Sequence, residues 1–470
     1  MASHEYDLAI IGGGSAGLTA AKAGRFFAKR VAMLDKERLG GDCLFYGCVP
    51  SKALIKAARV MHEVKTAHRW GLNLHGMDVT LGSVNERVQY AIGEVAQIDS
   101  RENLAKMGVD VFLGGAAFRD DHTIEIGDDT IRAKYVLIAT GSRPATPDTP
   151  GLSEAGYLTN EDVFDLQNLP KRLAVLGGGP IGVEMAQAFH RLGSQVTVLQ
   201  RGPHLIPRDD ADMIALLEAT FAGEGIDVRY DCSVASVRAE GGEKALTLAD
   251  GRELRVDAIL AAVGRTPNVD GLGLEKAGVN ATPRGIPVND RLQTNVSHIY
   301  AAGDVVGGPQ FTHYAGYQAA QAVRNLFLPI KLRFNPGNLP WVTFTDPEIA
   351  HVGLTETEAA KAGQKCSIVK FPYSHLERAV TDQDAEGLMK FLIDDKRRII
   401  GCHIGGAGAG EMVNEITLAM NNDLTVDKII ASIHAYPTYS FGIPVALYDY
   451  ALNEEPSAAA KVGRFLSRLT

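Results

Sequence analysis

The chain has 470 residues, 22% of them charged and 46% hydrophobic, with a formal net charge of −9. That length exceeds one ordinary core and predicts about three domains. The charge balance, without a long basic run, excludes a nucleic-acid footprint, and no run of about 18 apolar residues marks a membrane span.

The first residues, MASHEYDLAIIGGGSAG, place no basic segment ahead of the apolar run, so no secretory leader is expected and the cytoplasm is the expected compartment. YDLAII reads as a strand, followed by Gly12, Gly14 and Gly17, a helical pattern, and the short strand VAMLD ending at Asp35. Glycines at this spacing allow a tight turn and let a pyrophosphate approach the N–H groups of a helix start.

Next comes GGDCLFYGCVPSKALIKAARVMHEV, with Cys43 and Cys48 separated by four residues and Pro50 and Ser51 opening a helical pattern. A helix start stabilises thiolate, so Cys48 is expected to carry the lowered pKa. No second Cys/His pair stands nearby at ligand spacing, so no resident metal is expected. Five cysteines in so long a chain do not make a secreted disulfide framework. Cys232, Cys366 and Cys402 stand singly and read as buried residues.

Residues 82–108 read as one long helix, and DVFLGGAAFRDDHTIEIGDDTIRAKYVLIAT as a β-meander closing the unit. The order then repeats. RLAVLGGGPIGVEMAQAF carries Gly177, Gly179 and Gly182, followed by QVTVLQR and a second set of short strands. In an NAD-specific unit an acid ends the second strand, but Gln200 stands here with Arg201 behind it and Arg208 further on. A neutral side chain beside arginines favours NADPH, with NADH the alternative. From about Pro336 the pattern changes to mixed strands and helices, and the tail beyond Pro456 reads as a short helix.

These motifs, with ATGSRP from Ala139, AVGRTPN from Ala262 and IYAAGDVVGG containing Asp304, resemble the class I pyridine nucleotide-disulfide oxidoreductases, among them dihydrolipoyl dehydrogenase, glutathione reductase and mercuric reductase. The resemblance covers essentially the whole chain. It implies an α/β fold: two Rossmann-like, three-layer β/β/α dinucleotide-binding domains and a C-terminal α+β dimerisation domain. The expected segments are 1–148 and 269–335 for FAD, 149–268 for NAD(P)H and 336–470 for the interface.

By the same resemblance, Gly12, Gly14, Gly17 and Asp35 bind the ADP half of FAD and Asp304 its ribityl chain. Lys36, Gly41, Lys52, Thr140 and Gly141 complete the FAD contacts, while Gly177, Gly179, Gly182, Gln200, Arg201 and Gly264 serve the nicotinamide coenzyme. Lys52 and Glu184 pair beside the flavin. The helix begun by FTHYAGYQAAQAV faces the flavin's pyrimidine edge. Cys48 takes electrons from the flavin and Cys43 meets the substrate.

The C-terminal segment HAYPTYSFG departs from the dehydrogenase pattern. Tyr436 stands where a catalytic histidine is expected, and Phe441 at or next to the position of its glutamate partner. A tyrosine, with a pKa near about 10, is a poor base for a dithiol. His434, two residues earlier, is a packing residue or a substitute base after rearrangement. Mercuric reductases carry tyrosine at this point, and a metal ion held by thiolates needs no such base. The chain, however, ends VGRFLSRLT without their C-terminal cysteine pair. The expected activity is therefore mercuric-reductase-like reduction of a metal ion or small-molecule oxidant by an isologous homodimer whose subunits share each active site. The alternatives are dihydrolipoyl dehydrogenase and an idle flavoprotein that binds another protein.

Overall fold

The computed structural model describes residues 2–74, 79–453 and 467. Its backbone forms two compact units, one of Met1–Gly177, Ala188–Leu199 and Cys232–Pro336, the other of Gly178–Gln187, Gln200–Asp231 and Gly337–Thr470. Among the described residues no helix is long and apolar enough to cross a membrane.

The first unit opens with β1 (Ala2–Ile11), α1 (Ser15–Phe26) and β2 (Val31–Asp35). The helices α2 (Gly41–Phe45), α3 (Cys48–Lys65), α4 (Leu81–Ile98) and α5 (Arg101–Lys106) then lead to β3 (Val109–Leu113). The single helix expected over 82–108 is thus two, because the Ser100 side chain accepts the Asn103 N–H at 3.3 Å and starts a new one.

Three strands follow, β4 (Ala116–Phe118), β5 (Thr123–Ile126) and β6 (Asp129–Ile138), giving the sheet order β3-β2-β1-β6-β5-β4. β3 lies parallel to β2, so it belongs to the central sheet and not to the expected meander, which is β4-β5-β6 alone. β1 alternates with the period of a strand buried on both faces. Leu8 and Ile10 enter the core beneath α1, while Ala9 and Ile11 enter a second core with Ile124 and Ile126 of the meander. The result is three layers, α on one face of the parallel sheet and β on the other.

The order repeats with β7 (Ser142–Pro144), β8 (Arg172–Leu176), α6 (Pro180–Leu192) and β9 (Gln195–Leu199), and α7 (Ala211–Glu224) follows within the second unit. β10 (Ala258–Ala261) and β9 flank β8 in parallel. An antiparallel layer of Val234–Glu240, Glu243–Leu248 and Glu253–Val256 contributes to the same core as β8, and Cys232 is buried there. β11 (Arg265–Pro267) pairs antiparallel with β7, and β12 (Ile299–Ala301) returns to pair with β6 before α8 (Thr312–Phe327).

The second unit is built on a five-stranded antiparallel sheet: β13 (Trp341–Thr343), β14 (Ile349–Gly353), β15 (Ser367–Pro372), β16 (Leu388–Ile393) and β17 (Ile399–Gly405), in the order β13-β14-β17-β16-β15. One face packs on α9 (Ala409–Asn421) through Ala350, Val352, Met389, Phe391, Cys402 and Ile404. The alternate positions carry a polar row across all five strands, Trp341, His351, His403, Lys390 and Lys370, each in register with the next.

The carboxylates at the start of α7 meet that row. Lys390, 1% exposed, lies 2.7 Å from each of Asp210, Asp212 and Glu356. Burial alone would lower its pKa, but the three carboxylates outweigh that and raise it. Trp341 Nε1 donates to Asp209 at 3.0 Å. Burial nevertheless pushes Asp209 up to about 6.

Candidate active site

The first glycine turn is set by contacts that admit no side chain. A Cβ on Gly12, which has φ +109, would stand 2.3 Å from the Ala139 carbonyl oxygen, and one on Gly17 would stand 1.8 Å from that of Gly12. Gly41 passes as closely, its Cβ position only 2.7 Å from the Gly14 Cα. Gly14 caps α1 without a side-chain hydrogen bond, leaving the first N–H groups of the helix for a ligand.

Asp35 Oδ2 accepts the Gly13 N–H at 2.7 Å, which fixes the carboxylate at the tip of β2 beside the turn. Asp304 accepts from the Ser142 hydroxyl at 2.6 Å, and burial holds its pKa above the usual carboxylate value despite that bond and nearby Arg265. Arg265 donates from Nε to Ser142 Oγ at 2.7 Å and pairs with Asp42 at 3.0 Å. Thr140 donates to the Asn268 carbonyl at 2.7 Å, next to Gly141 at φ +68. Lys36 is exposed. Free helix N–H groups, a strand-end carboxylate and a half-buried aspartate fit a flavin dinucleotide in chemistry and order. The sequence alone did not single out Arg265, Ser142 and Asp42, although all three lie inside quoted motifs.

Cys43 lies on α2, and Cys48 is the first residue of α3; both are free thiols here. Cys48 Sγ is 3.3 Å from Thr312 Oγ1 at the start of α8. The lowered thiol is Cys43, at about 6, held down chiefly by a hydrogen bond from the Cys48 thiol and further by Thr312, the Cys48 N–H and Ser15, against burial. Cys48 is raised, first by that same hydrogen bond and then by burial, with Lys52 opposing. The N–H that opens α3 belongs to Cys48 but points at Cys43, so the helix end stabilises charge on the neighbouring sulfur. The two sulfurs share one proton near neutral pH.

The second glycine turn repeats the first in detail. A Cβ on Gly177, φ +104, would stand 2.5 Å from the Ala262 carbonyl oxygen, and Gly264 takes φ +123, as Gly12, Ala139 and Gly141 do in the first. Gln200 Oε1 accepts the Gly178 N–H at 2.9 Å, across the same 22 residues that separate Gly13 from Asp35. Its Nε2 donates to the His204 carbonyl at 2.9 Å. Gly179 has open space where a Cβ would be, and Gly182 lies on α6. Arg201 and Arg208 are exposed. Glu184, also on α6, is buried and accepts the Phe344 N–H at 2.9 Å.

In the C-terminal segment, Tyr436 is 62% exposed and Ile433 fully so. His434 Nε2 is 2.7 Å from Glu415 on α9, and its Nδ1 is 2.9 Å from the Ser432 carbonyl oxygen. Burial would lower the His434 pKa, but these two acceptors raise it above the usual value. The expected tail helix beyond Pro456 lies outside the described residues.

Two duplicated dinucleotide turns and a dithiol between helix starts define a flavin- and nicotinamide-dependent redox enzyme. Residues 6–319 match the pyridine nucleotide-disulphide oxidoreductase family and residues 339–446 its dimerisation domain. The chain belongs to this family and is an FAD-containing, NAD(P)H-dependent oxidoreductase of the disulfide type. It is 33% identical to a mercuric reductase of Staphylococcus aureus, over 95% of this chain and 82% of that protein. It is 37% identical to a dihydrolipoyl dehydrogenase of Thermus scotoductus, over 93% and 96%. Among solved structures, the HOCl-induced flavoprotein disulfide reductase RclA from Escherichia coli, as its Cu(II) complex, has a TM-score of 0.86 at 28% identity, covering 96% of this chain and all of that one. LpdA from Mycobacterium tuberculosis has a TM-score of 0.88 at 26% identity, with the same coverage.

Proposed function

We propose that this enzyme draws electron pairs from NADPH onto a Cys43–Cys48 disulfide and discharges the dithiol onto a metal ion or other small oxidant, in the manner of the mercuric reductases. Bound FAD supplies hydride acceptance from the nicotinamide and a two-electron route to the sulfurs. The free N–H groups of α1, Asp35 and Asp304 would hold it, with Lys36, Gly41, Lys52, Thr140 and Gly141 completing its contacts. Segments 1–148 and 269–335 serve FAD, 149–268 the nicotinamide and 336–470 the interface. Glu184 acts with Lys52 in tuning the centre.

The observation that carries the reading is the aromatic pair at the C-terminal segment. Tyr436 and Phe441 pack edge to face at 5.3 Å where a dithiol-oxidising enzyme needs a histidine and a carboxylate. Without that base, Cys43, already charged above about pH 6, can still bind a soft metal ion or attack an activated oxidant. Gln200 and exposed Arg201 support NADPH over NADH, since neither repels a 2′-phosphate. The matched dimerisation domain and the exposed Ile433 and Tyr436 support a homodimer in which this segment completes the partner's site. A monomeric mass in solution at micromolar concentration contradicts that part.

One observation favours dihydrolipoyl dehydrogenase: His434 does have a glutamate partner. Its ring, however, faces a carbonyl oxygen at one nitrogen and a carboxylate at the other. In the protonated form, which both acceptors favour, the two nitrogens donate and no lone pair is left to take a proton from a dithiol. The idle-flavoprotein reading is disfavoured by the intact, activated thiol pair. Metal- or oxidant-dependent NADPH oxidation that disappears in Cys43→Ser is the expected result; oxidation that persists in that variant removes the thiol from the pathway.

A further inference from the structure

Asp121 and His122 lie in the turn between β4 and β5, and His298 stands just before β12. His298 comes 177 residues after Asp121 in the chain, with β7 to β11 between them. One ligand atom from each of the three side chains nevertheless lies within 4.8 Å of the other two.

The middle of β6 holds both histidines in place. The His122 carbonyl accepts the Ala133 N–H at 2.9 Å, and the His298 carbonyl accepts the Val136 N–H at 3.1 Å. Asp120 Oδ1 accepts the His122 N–H at 2.9 Å and fixes the turn that carries two of the three residues. The two imidazole rings stack, with centroids 3.9 Å apart and planes 8° from parallel. His122 Nδ1 donates to the Ala133 carbonyl oxygen at 2.8 Å, and His298 Nε2 donates to that of Asp121 at 2.8 Å. A carbonyl oxygen only accepts, so each ring carries its proton on that nitrogen and keeps a lone pair on the other. Metal-binding histidines are oriented in this way, one nitrogen on a backbone carbonyl and the other towards the ion.

We infer that Asp121, His122 and His298 form a binding site for a divalent transition-metal ion of the zinc or copper type, which clasps the β4–β5 turn to the segment that returns before β12. The inference is independent of the redox chemistry at Cys43 and Cys48. Two imidazoles and one carboxylate suit such an ion and not Mg²⁺, which takes oxygen ligands in a strict octahedron. Ligand atoms about 2.1 Å from a tetrahedral ion stand about 3.4 Å apart, so closing this group takes side-chain shifts of about 1 Å. Asp121, whose side chain is 53% exposed, is free to make that movement, while His298, at 17%, sits on the firmer strand side. An ion bound here ties together two stretches separated by five strands, and it stabilises the native state because the unfolded chain does not hold the three ligands together.

The test is titration calorimetry of Zn²⁺ into chelator-treated, FAD-loaded enzyme, with Cys43 and Cys48 oxidised to the disulfide so that their thiolates do not compete. One Zn²⁺ per chain is expected, with Kd raised at least about tenfold in Asp121→Asn and in His122→Gln. Asp121→Asn changes one exposed side chain and leaves the carbonyl that accepts from His298, so loss of binding in that variant is not loss of fold. In thermal melts Zn²⁺ is expected to raise the Tm of the wild type and to leave that of both variants unchanged. Mg²⁺ is expected to do neither. No Zn²⁺ bound, an unchanged Kd in both variants, or equal binding of Mg²⁺ each overturns the inference.

Discussion

Tyr436 and Phe441 meet edge to face, with ring centroids 5.3 Å apart and planes inclined at 76°. An acid–base dyad at these positions would move a proton readily; a phenol beside a phenyl ring is a poor substitute. Replacing both, as Tyr436→His with Phe441→Glu, should raise dihydrolipoamide oxidation by at least about tenfold. Steady-state assays with NAD⁺ and NADP⁺ check this, and an unchanged rate would show that something other than a missing base limits dithiol turnover.

The shared proton of the thiol pair has a direct readout. In the reduced enzyme, alkylation of Cys43 by iodoacetamide should rise with pH through a midpoint at about 6. Below that value the thiolate is lost. Cys48→Ala removes the strongest donor and should shift the midpoint up towards the ordinary thiol value of about 8.5. Equal midpoints in the two proteins would contradict the hydrogen bond.

His434 and Glu415 predict a pH-dependent clamp on the C-terminal segment. The folded pKa of His434 is raised, so the pair's contribution is complete below the unfolded value of about 6.5 and fades as pH rises through the folded value. Glu415→Gln should cost up to about 1 kcal/mol at pH 6 and much less at pH 9. Thermal melts across that range test the trend, and a constant deficit would point to packing rather than charge.

Asp209 carries the opposite sign. Its carboxyl is raised to about 6 by burial, so ionising it costs stability above that pH, and the cost vanishes as pH falls towards the ordinary carboxylate value. An asparagine can still accept from Trp341 Nε1. Asp209→Asn should therefore stabilise the protein by about 2 kcal/mol at pH 8 and by little at pH 4.5. Destabilisation at pH 8 would mean that the charge is needed there.

Coenzyme choice rests on the end of β9. Arg201→Glu places a carboxylate where the 2′-phosphate would lie, and kcat/KM for NADPH should drop about tenfold while that for NADH holds or improves. An equal loss with both coenzymes would assign Arg201 another role.

Much of the dinucleotide architecture was legible because it is local. The glycine turns, the strand-end residues Asp35 and Gln200, and the ATG and AVG segments recur at fixed spacing, and the structure repeats their contacts nearly atom for atom. The break at Ser100 was missed because no glycine or proline stands at the junction itself, Ile98 to Arg101. What the sequence hid is non-local. The row from Trp341 to Lys370 comes from five separate strands, and Glu415 is 19 residues before His434 on a helix with no motif.

The most direct test is anaerobic NADPH oxidation by the purified holoenzyme with Hg²⁺ in excess thiol, Cu²⁺, a quinone, oxidised glutathione or lipoamide as acceptor, beside Cys43→Ser. Cys43-dependent turnover with a metal ion or other small oxidant, and little with lipoamide, is the predicted result. Brisk lipoamide–NADH turnover by the wild-type chain would contradict it and place Tyr436 in a dihydrolipoyl dehydrogenase.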